Sequence, residues 1–177
     1  MSSESVEWYP VVSGKLFAGE YPGHPSQDIA RKRIESLVEM GVSTFVDLTS
    51  AADAMEPYEP FLAEMEEHTG RKLIRLSFPI PDMGVPDNEE IMRAAMEAIR
   101  EATERNPAAY VHCWGGIGRT GTVIGCWLRE CGVGSVEALL RVQKLYSRHM
   151  PKSKRIPKSP QTPAQLDYVK FWSGNSN

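Results

Sequence analysis

The stretch that most restricts the fold of this chain runs from Ala108 to Thr122 and reads AAYVHCWGGIGRTGT. Residues 108–113 are mostly apolar and have the length of a buried strand. From Thr120 to Cys131 the residues are apolar on nearly every side of a helix, which predicts a buried helix. A glycine-rich loop joins them. A strand that passes through such a loop into a helix directs backbone N–H groups and the positive end of the helix dipole at one point. The stretch therefore predicts an α/β unit with an anion site.

Strand-like and helix-like segments alternate along the rest of the chain, and capping patterns mark several helix starts. The N-cap residues are expected to be Asp87, with Glu90 three residues later, then Ser135, and then Thr162, with Gln165 closing a capping box. The predicted strands are 15–18 (a short edge strand), 43–49, 72–78 and 108–113, and the predicted helices are 28–40, 87–105, 120–131 and those capped by Ser135 and Thr162. This alternation predicts one α/β domain over residues 1–172, a mostly parallel central sheet flanked by helices, and a flexible tail at 173–177.

The glycine-rich loop allows two interpretations. Gly116, Gly118 and Gly121 have the spacing of the dinucleotide fingerprint G-x-G-x-x-G. That fold also needs an acidic residue about 20 positions further on, at the end of the next strand. The count reaches Glu137, which opens a predicted helix with no second strand before it. The dinucleotide interpretation therefore explains only the glycines.

The alternative interpretation is attack on a phosphate. Cys113 stands at the end of the strand, where a helix N-terminus and a nearby cation favour the thiolate that can attack phosphorus. Arg119 brings a planar fork that can bind two phosphoryl oxygens. Thr120 offers a hydroxyl that could bond the sulfur and stabilise it as a leaving group. The predicted phosphate-binding set is Trp114 (expected at the pocket floor or packed beneath it), Gly115, Gly116, Ile117, Gly118 and Arg119, with the three glycines chosen for the backbone angles that they tolerate.

The stretch HCWGGIGRTG resembles the H-C-x5-R-[S/T] signature of the cysteine-dependent protein tyrosine and dual-specificity phosphatases. The G-G-x-G-R part is closest to the kinase-associated phosphatase type among the small members. Weaker stretches follow in the family's order: LFAGEYPG (16–23), FVDLT (45–49), PIPDMGVPD (79–87) and QTPAQLDYV (161–169). The resemblance implies a two-step reaction without metal or cofactor, in which a cysteinyl-phosphate forms and water hydrolyses it.

The family also implies a general acid on a mobile loop upstream of the cysteine, and both Asp82 and Asp87 fit. Asp87 is the expected helix N-cap, whereas Asp82 lies in a proline-flanked loop without a capping role. We therefore assign the acid to Asp82 and keep Asp87 in reserve. The chain lacks the Trp-Pro-Asp sequence that classical tyrosine phosphatases carry on this loop.

Three further residues receive supporting roles from the resemblance. His112 orients the loop in such phosphatases, and a late glutamine positions the hydrolytic water. Gln161 and Gln165 both match that motif. For Gln165 a role as the capping-box partner of Thr162 is equally well supported. Gln161, which lies outside the helix, is therefore the better candidate for positioning the water.

Three functions follow from these residues. The first is a phosphatase acting on phosphotyrosine and phosphoserine or phosphothreonine in proteins. The second is a non-protein phosphatase acting on phosphoinositides, inositol phosphates, RNA 5′ ends or glucans. The basic segment 141–158 is consistent with such a substrate. Lipid-directed members of the family usually carry lysines inside the loop, and positions 114–118 carry none. The third is a silent phospho-binding module, which the presence of Cys113 and Arg119 disfavours.

The composition excludes several other classes. A hydrophobic fraction of 41% and a charged fraction of 24% are typical of a globular domain. No apolar run approaches the ~18 residues of a membrane span, and the start of the chain does not resemble a signal peptide. Three cysteines do not make a disulfide framework, which predicts a cytoplasmic protein. We expect a monomer that binds no nucleic acid, and no metal, because His24, His68 and His149 form no metal-spaced set with carboxylates.

Overall fold

A computed structural model of the protein describes residues 4–105 and 108–174. Within them five strands form one sheet in the order β1-β2-β5-β3-β4. The strands are β1 (Trp8–Val12), β2 (Leu16–Gly19), β3 (Val42–Asp47), β4 (Ile74–Ser77) and β5 (Ala108–His112). The β1–β2 pair is antiparallel and the other three pairings are parallel, which confirms the mostly parallel sheet. The predicted edge strand 15–18 is wrong in one respect: β2 lies inside the sheet, because β1 pairs with its outer side.

The helices cover both faces of this sheet. They are α1 (Gln27–Glu39), α2 (Glu59–Thr69), α3 (Glu89–Glu104), α4 (Gly118–Glu130), α5 (Ser135–His149) and α6 (Pro163–Phe171). Successive residues of a strand point to opposite faces. Accordingly Phe17 of β2 belongs to an apolar cluster with residues of α1 and α2, whereas Leu16 and Ala18 belong to a cluster with residues of α3 to α6. As predicted, α4 is buried along most of its length.

Two of the predicted helix caps are wrong by one residue. Asn88 caps α3, since its side chain accepts a hydrogen bond from Ile91 N (3.1 Å), and Asp87 lies outside the helix. Gly134 occupies the N-cap position of α5, so that Ser135 is its first helical residue. The capping box of α6 is confirmed. The loss of the capping role for Asp87 removes the sequence argument that favoured Asp82 as the general acid.

The sheet brings the stretch that follows β5 next to the end of β3. Asp47 pairs in register with His112, so both strands end at the same edge of the sheet. Binding sites of open α/β sheets lie beyond the carboxyl ends of the strands. Among the described helices, none is long and apolar enough to cross a membrane. The predicted domain boundary at 172 stays a prediction, and residues 175–177 of the predicted tail lie outside the described residues.

Candidate active site

The loop between β5 and α4 forms the floor of a cavity of about 390 Å³. Cys113 follows β5 directly, lines this cavity and is 3% exposed. Arg119, in the first turn of α4, also lines it. Asp82 and Gln161 reach the same cavity from distant parts of the chain. The fold thus brings together four side chains that the sequence placed in three separate segments.

Three carbonyl groups of the loop are held from outside it. Tyr21 N donates to Trp114 O (2.9 Å), Lys152 Nζ donates to Gly115 O (3.2 Å), and Ser159 Oγ donates to Ile117 O (2.7 Å). In a planar trans peptide the carbonyl and the following N–H point in opposite directions. The N–H groups that follow these carbonyls, those of Gly115, Gly116 and Gly118, therefore point away from the three donors, and we expect them to bind an anion in the concavity of the loop.

Two glycines of the loop are required for different reasons. Gly116 has a φ of +70°, and a Cβ there would collide with the Gly19 carbonyl of β2. Gly118 has no positive φ, but a Cβ there would lie 2.8 Å from the Oε1 atoms of both Gln161 and Gln165. The expectation that special backbone angles explain Gly115, Gly116 and Gly118 is correct only for Gly116.

Arg119 is 2% exposed and is clamped by a residue that the sequence analysis missed. Its Nη1 and Nη2 atoms donate to the two carboxylate oxygens of Asp53, both at 2.8 Å, and Nη1 also donates to Ile80 O (3.1 Å). Asp53 ends a short 3-10 helix, Ala51–Asp53, that follows β3. The sequence signal that could have identified Asp53 is its position shortly after β3, the strand next to β5, where binding sites of such sheets lie.

The charges of this pair reinforce each other. The hydrogen bond from Arg119 lowers the pKa of Asp53 to about 2, in spite of burial. Burial on its own would lower the pKa of Arg119, but the Asp53 carboxylate and the Cys113 sulfur outweigh it and raise that pKa. Arg119 therefore stays cationic, with Nη1 and Nη2 both bonded to Asp53 and with Nη2 also facing Asp82.

Asp82 is the better placed of the two candidate acids. Its Oδ1 lies 3.1 Å from Arg119 Nη2, and its side chain is 55% exposed. Asp87 is exposed and lines a different cavity, which does not include Cys113. The contact with Arg119 thus supports Asp82 as the general acid, in place of the capping argument that the structure removed.

The two glutamines have different surroundings. Gln165 is fully buried, its Oε1 accepts from Gln161 N (3.0 Å) and Thr162 N (3.2 Å), and its Nε2 donates to Gly84 O (2.9 Å). Both ends of Gln165 are therefore engaged in protein contacts, and it ties α6 to the loop that carries Asp82. Gln161 lines the cavity with its side chain.

His112 is completely buried behind the loop. Its Nε2 lies 2.8 Å from Tyr58 Oη, and its Nδ1 lies 3.8 Å from Asp47 Oδ1. The tyrosine rings of residues 21, 58 and 110 surround it at centroid distances of 5.4 to 5.6 Å. Burial lowers the pKa of His112 to about 4, so the imidazole is neutral at pH 7.

The family comparison agrees with this geometry. Residues 17–162 match the family model described as PTP-SAK, Swiss Army Knife protein, DSP-PTPase phosphatase domain. The chain belongs to this phosphatase family. The match confirms the resemblance seen in the signature loop.

Individual relatives agree with the family. A putative tyrosine phosphatase 067L of Invertebrate iridescent virus 3 is 28% identical over 144 residues, which cover 79% of this chain and 53% of that protein. Cyclin-dependent kinase inhibitor 3 of Rattus norvegicus is 27% identical over 130 residues, 70% of this chain and 60% of that protein. The chain thus matches little more than half the length of these curated relatives.

A solved structure shows the same fold. Kinase-associated phosphatase with its catalytic-site cysteine changed to serine superimposes with a TM-score of 0.68 and 21% identity, over 93% of this chain and 90% of that one. At this identity the likeness concerns the fold, and it confirms the predicted phosphatase-like α/β architecture.

One predicted residue of the phosphatase loop, Trp114, has another position than expected, and the role of a second, Thr120, is untested. Trp114 is 60% exposed and stands at the rim of the cavity, not at its floor or beneath it, because Tyr21 holds its backbone while the indole projects outward. The hydroxyl of Thr120 donates to Gly19 O (3.5 Å) and is fully buried. Its predicted bond to the Cys113 sulfur stays a prediction.

The basic segment reaches the phosphatase cavity in part. Lys152 and Arg155 line its rim, whereas the segment's other five cations are absent from its lining. Within residues 4–105 and 108–174, no group of three His, Cys, Asp or Glu side chains could hold a metal ion.

Proposed function

We propose that this chain is a cysteine-based phosphatase that hydrolyses phosphotyrosine, and also phosphoserine or phosphothreonine, in proteins. The observation that carries the proposal is the cavity that Cys113, Arg119 and Asp82 line together with the glycine-rich loop. The side chains of the protein supply nucleophile, cation and acid, so the proposal includes no metal or cofactor.

The first step transfers the phosphoryl group to Cys113. The thiolate attacks phosphorus, a P–S bond forms and the bond to the ester oxygen breaks. The loop N–H groups and Arg119 stabilise the charge on the equatorial oxygens. A phosphoryl oxygen takes the place at Arg119 Nη2 that Asp82 holds here, which frees Asp82. Protonated Asp82 then gives its proton to the leaving oxygen.

The second step hydrolyses the cysteinyl-phosphate. Water enters the place of the departed alcohol, where Gln161 lines the cavity and orients it. The Asp82 carboxylate takes a proton from this water while the water oxygen bonds to phosphorus. The P–S bond breaks, so that inorganic phosphate and the Cys113 thiolate are formed.

We also propose that the protein acts as a monomer on cytoplasmic phosphoproteins and that residues 1–172 form the catalytic domain. The sparse cysteines support a reducing compartment.

The test is phosphate release in the presence of a chelator. Wild type, Cys113→Ser and the control Cys131→Ser, which changes an exposed cysteine, are compared on phosphotyrosine and phosphothreonine peptides, a phosphoinositide and an inositol phosphate. We expect release from the peptides by wild type and by the control, and none by Cys113→Ser. Faster release from the phosphoinositide or inositol phosphate would favour the non-protein alternative. No release by folded wild type would contradict the proposal and favour a phospho-binding module.

A further inference from the structure

A second cavity, of about 320 Å³, lies beside the catalytic cavity. Both are lined by Glu20, Trp114, Lys152 and Arg155. We propose that this second cavity is a subsite for a carboxylate of the substrate, bound by Arg155 while Cys113 attacks the phosphate. The inference rests on the proposed phosphatase function and narrows its substrates to phosphotyrosine segments with Asp or Glu beside the phosphotyrosine.

Arg155 is exposed, and the turn that carries it is connected to the catalytic loop through Lys152. It follows a short 3-10 helix, Pro151–Lys154, and its backbone N–H donates to Lys152 O (2.9 Å). Lys152 is largely buried, and its ammonium group donates to Gly115 O (3.2 Å) and forms an ion pair with Glu20. The turn that presents Arg155 is thus tied to the loop that binds the phosphate.

The charges around the second cavity leave Arg155 without compensation. The carboxylate of Glu7 lies 3.8 Å from Lys152 Nζ, and that of Glu20 pairs with Lys152 and lies 3.7 Å from Arg33 Nη2. In the described parts of the chain, no side chain forms a hydrogen bond or ion pair with the guanidinium of Arg155. An entering anion therefore meets an available cation beside carboxylates that are already paired.

The rim favours a peptide over a hydrated polyol phosphate. Trp114 is 60% exposed, Met83 50% and Ile156 41%, and all three line the catalytic cavity. Exposed apolar side chains around a polar site suit a ligand with an aromatic or aliphatic body, such as a tyrosine ring within a peptide. A carboxylate of that peptide can engage the Arg155 fork bidentately.

The experiment compares two phosphotyrosine peptides that differ only by Glu or Gln next to the phosphotyrosine. We expect wild type to have a kcat/KM about fivefold higher for the Glu peptide than for the Gln peptide, because a partly exposed ion pair changes an equilibrium by about that factor. Arg155→Met removes this preference, and its Cys113-dependent hydrolysis of p-nitrophenyl phosphate shows that the variant is a folded enzyme. The control is Arg148→Met, an exposed arginine that lines neither cavity, and it keeps the preference.

Each other outcome has a defined meaning. Equal kcat/KM for the two peptides in wild type, or an unchanged preference in Arg155→Met, would overturn the subsite. If Cys113-dependent hydrolysis of p-nitrophenyl phosphate persisted in that case, the proposed function would stand. An Arg155-dependent preference for an inositol bisphosphate over a monophosphate, with none between the peptides, would overturn the peptide assignment. Absence of any Cys113-dependent hydrolysis would overturn the proposed function itself, and the subsite with it.

Discussion

Asp82 and Asp87 lie five residues apart on one loop, but only Asp82 reaches Arg119. We expect Asp82→Asn to lower kcat on a phosphotyrosine peptide about 10² to 10⁴-fold, since general acid catalysis contributes on that order. The loss is smaller for p-nitrophenyl phosphate, whose leaving group needs less protonation. Asp87→Asn serves as the control and stays near wild type. If Asp87→Asn carried the loss, the acid would be Asp87.

Asp53 neutralises a buried arginine, so its removal affects stability as well as catalysis. In Asp53→Asn the guanidinium of Arg119, which is 2% exposed, loses its buried carboxylate partner and keeps only Asp82, whose side chain is 55% exposed. Breaking a buried pair from one side costs about 3 kcal/mol in the free energy of unfolding, which urea denaturation measures. Asp28→Asn, at an 87% exposed carboxylate, is the matched control and changes the free energy little. An Asp53→Asn variant as stable as this control would contradict the clamp.

The residues of the site that the sequence predicts are those whose chemistry follows from local spacing. Cys113 and Arg119 belong to one strand–loop–helix stretch, and the structure puts them in one cavity. Asp53 and Lys152 escape such analysis because their partners lie 66 and 37 residues away along the chain. Asp53 does close a capping box with Ser50, whose N–H donates to its carboxylate (2.7 Å), but that pattern predicts only a helix start and not the contact with Arg119.

At the scale of elements, the approach of α6 to the start of α4 depends on Gly118. A Cβ at this position would lie 2.8 Å from Gln165 Oε1, a buried atom that accepts two backbone hydrogen bonds. We expect Gly118→Ala to destabilise the protein by about 1 to 3 kcal/mol, as overpacking does, and to lower kcat because Gln161 is displaced. Thermal or urea unfolding and phosphate release measure the two effects.

The control for this change is Gly134→Ala. A Cβ at Gly134 meets no atom within 4 Å, and its φ of −59° suits alanine. It is expected to retain stability and activity close to wild type. Equal behaviour of Gly118→Ala and Gly134→Ala would show that the α4–α6 contact tolerates a methyl group.

Elements with strong periodicity or capping were predictable, and the exceptions have physical causes. The capping box at Thr162 gave the start of α6 correctly. Helix α2 was not predicted, because it buries only Leu62 and Met65 and so carries a weak amphipathic pattern. The internal position of β2 depends on its pairing with β1 across the turn at Ser13-Gly14, a hairpin signal that the sequence analysis did not use.

At the scale of the whole molecule, His112 makes stability depend on pH. An unfolded histidine titrates near 6.5, whereas the pKa of folded His112 is about 4. Between these values the unfolded chain binds a proton that the folded protein excludes. The free energy of unfolding therefore falls as pH drops from 6.5 to 4, by about 3 kcal/mol from this residue, and is unaffected by it above pH 6.5.

Urea denaturation across this pH range measures the change in the free energy of unfolding, and an NMR titration of His112 measures its pKa in the folded protein. His68→Gln changes an exposed histidine and is expected to keep the wild-type pH dependence. A titration of His112 near pH 6.5 would contradict the burial argument. The same result would mean that the imidazole behind the phosphate loop is charged at mildly acidic pH.

In the proposed reaction phosphorus becomes bonded to the sulfur of Cys113. The most direct measurement is rapid acid quenching of wild type during turnover of a phosphotyrosine peptide, followed by mass spectrometry of the peptide that contains Cys113. We predict a phosphate mass addition on Cys113, and none in Cys113→Ser treated in the same way. Turnover without modification of Cys113, or with the phosphate on another residue, would contradict the account.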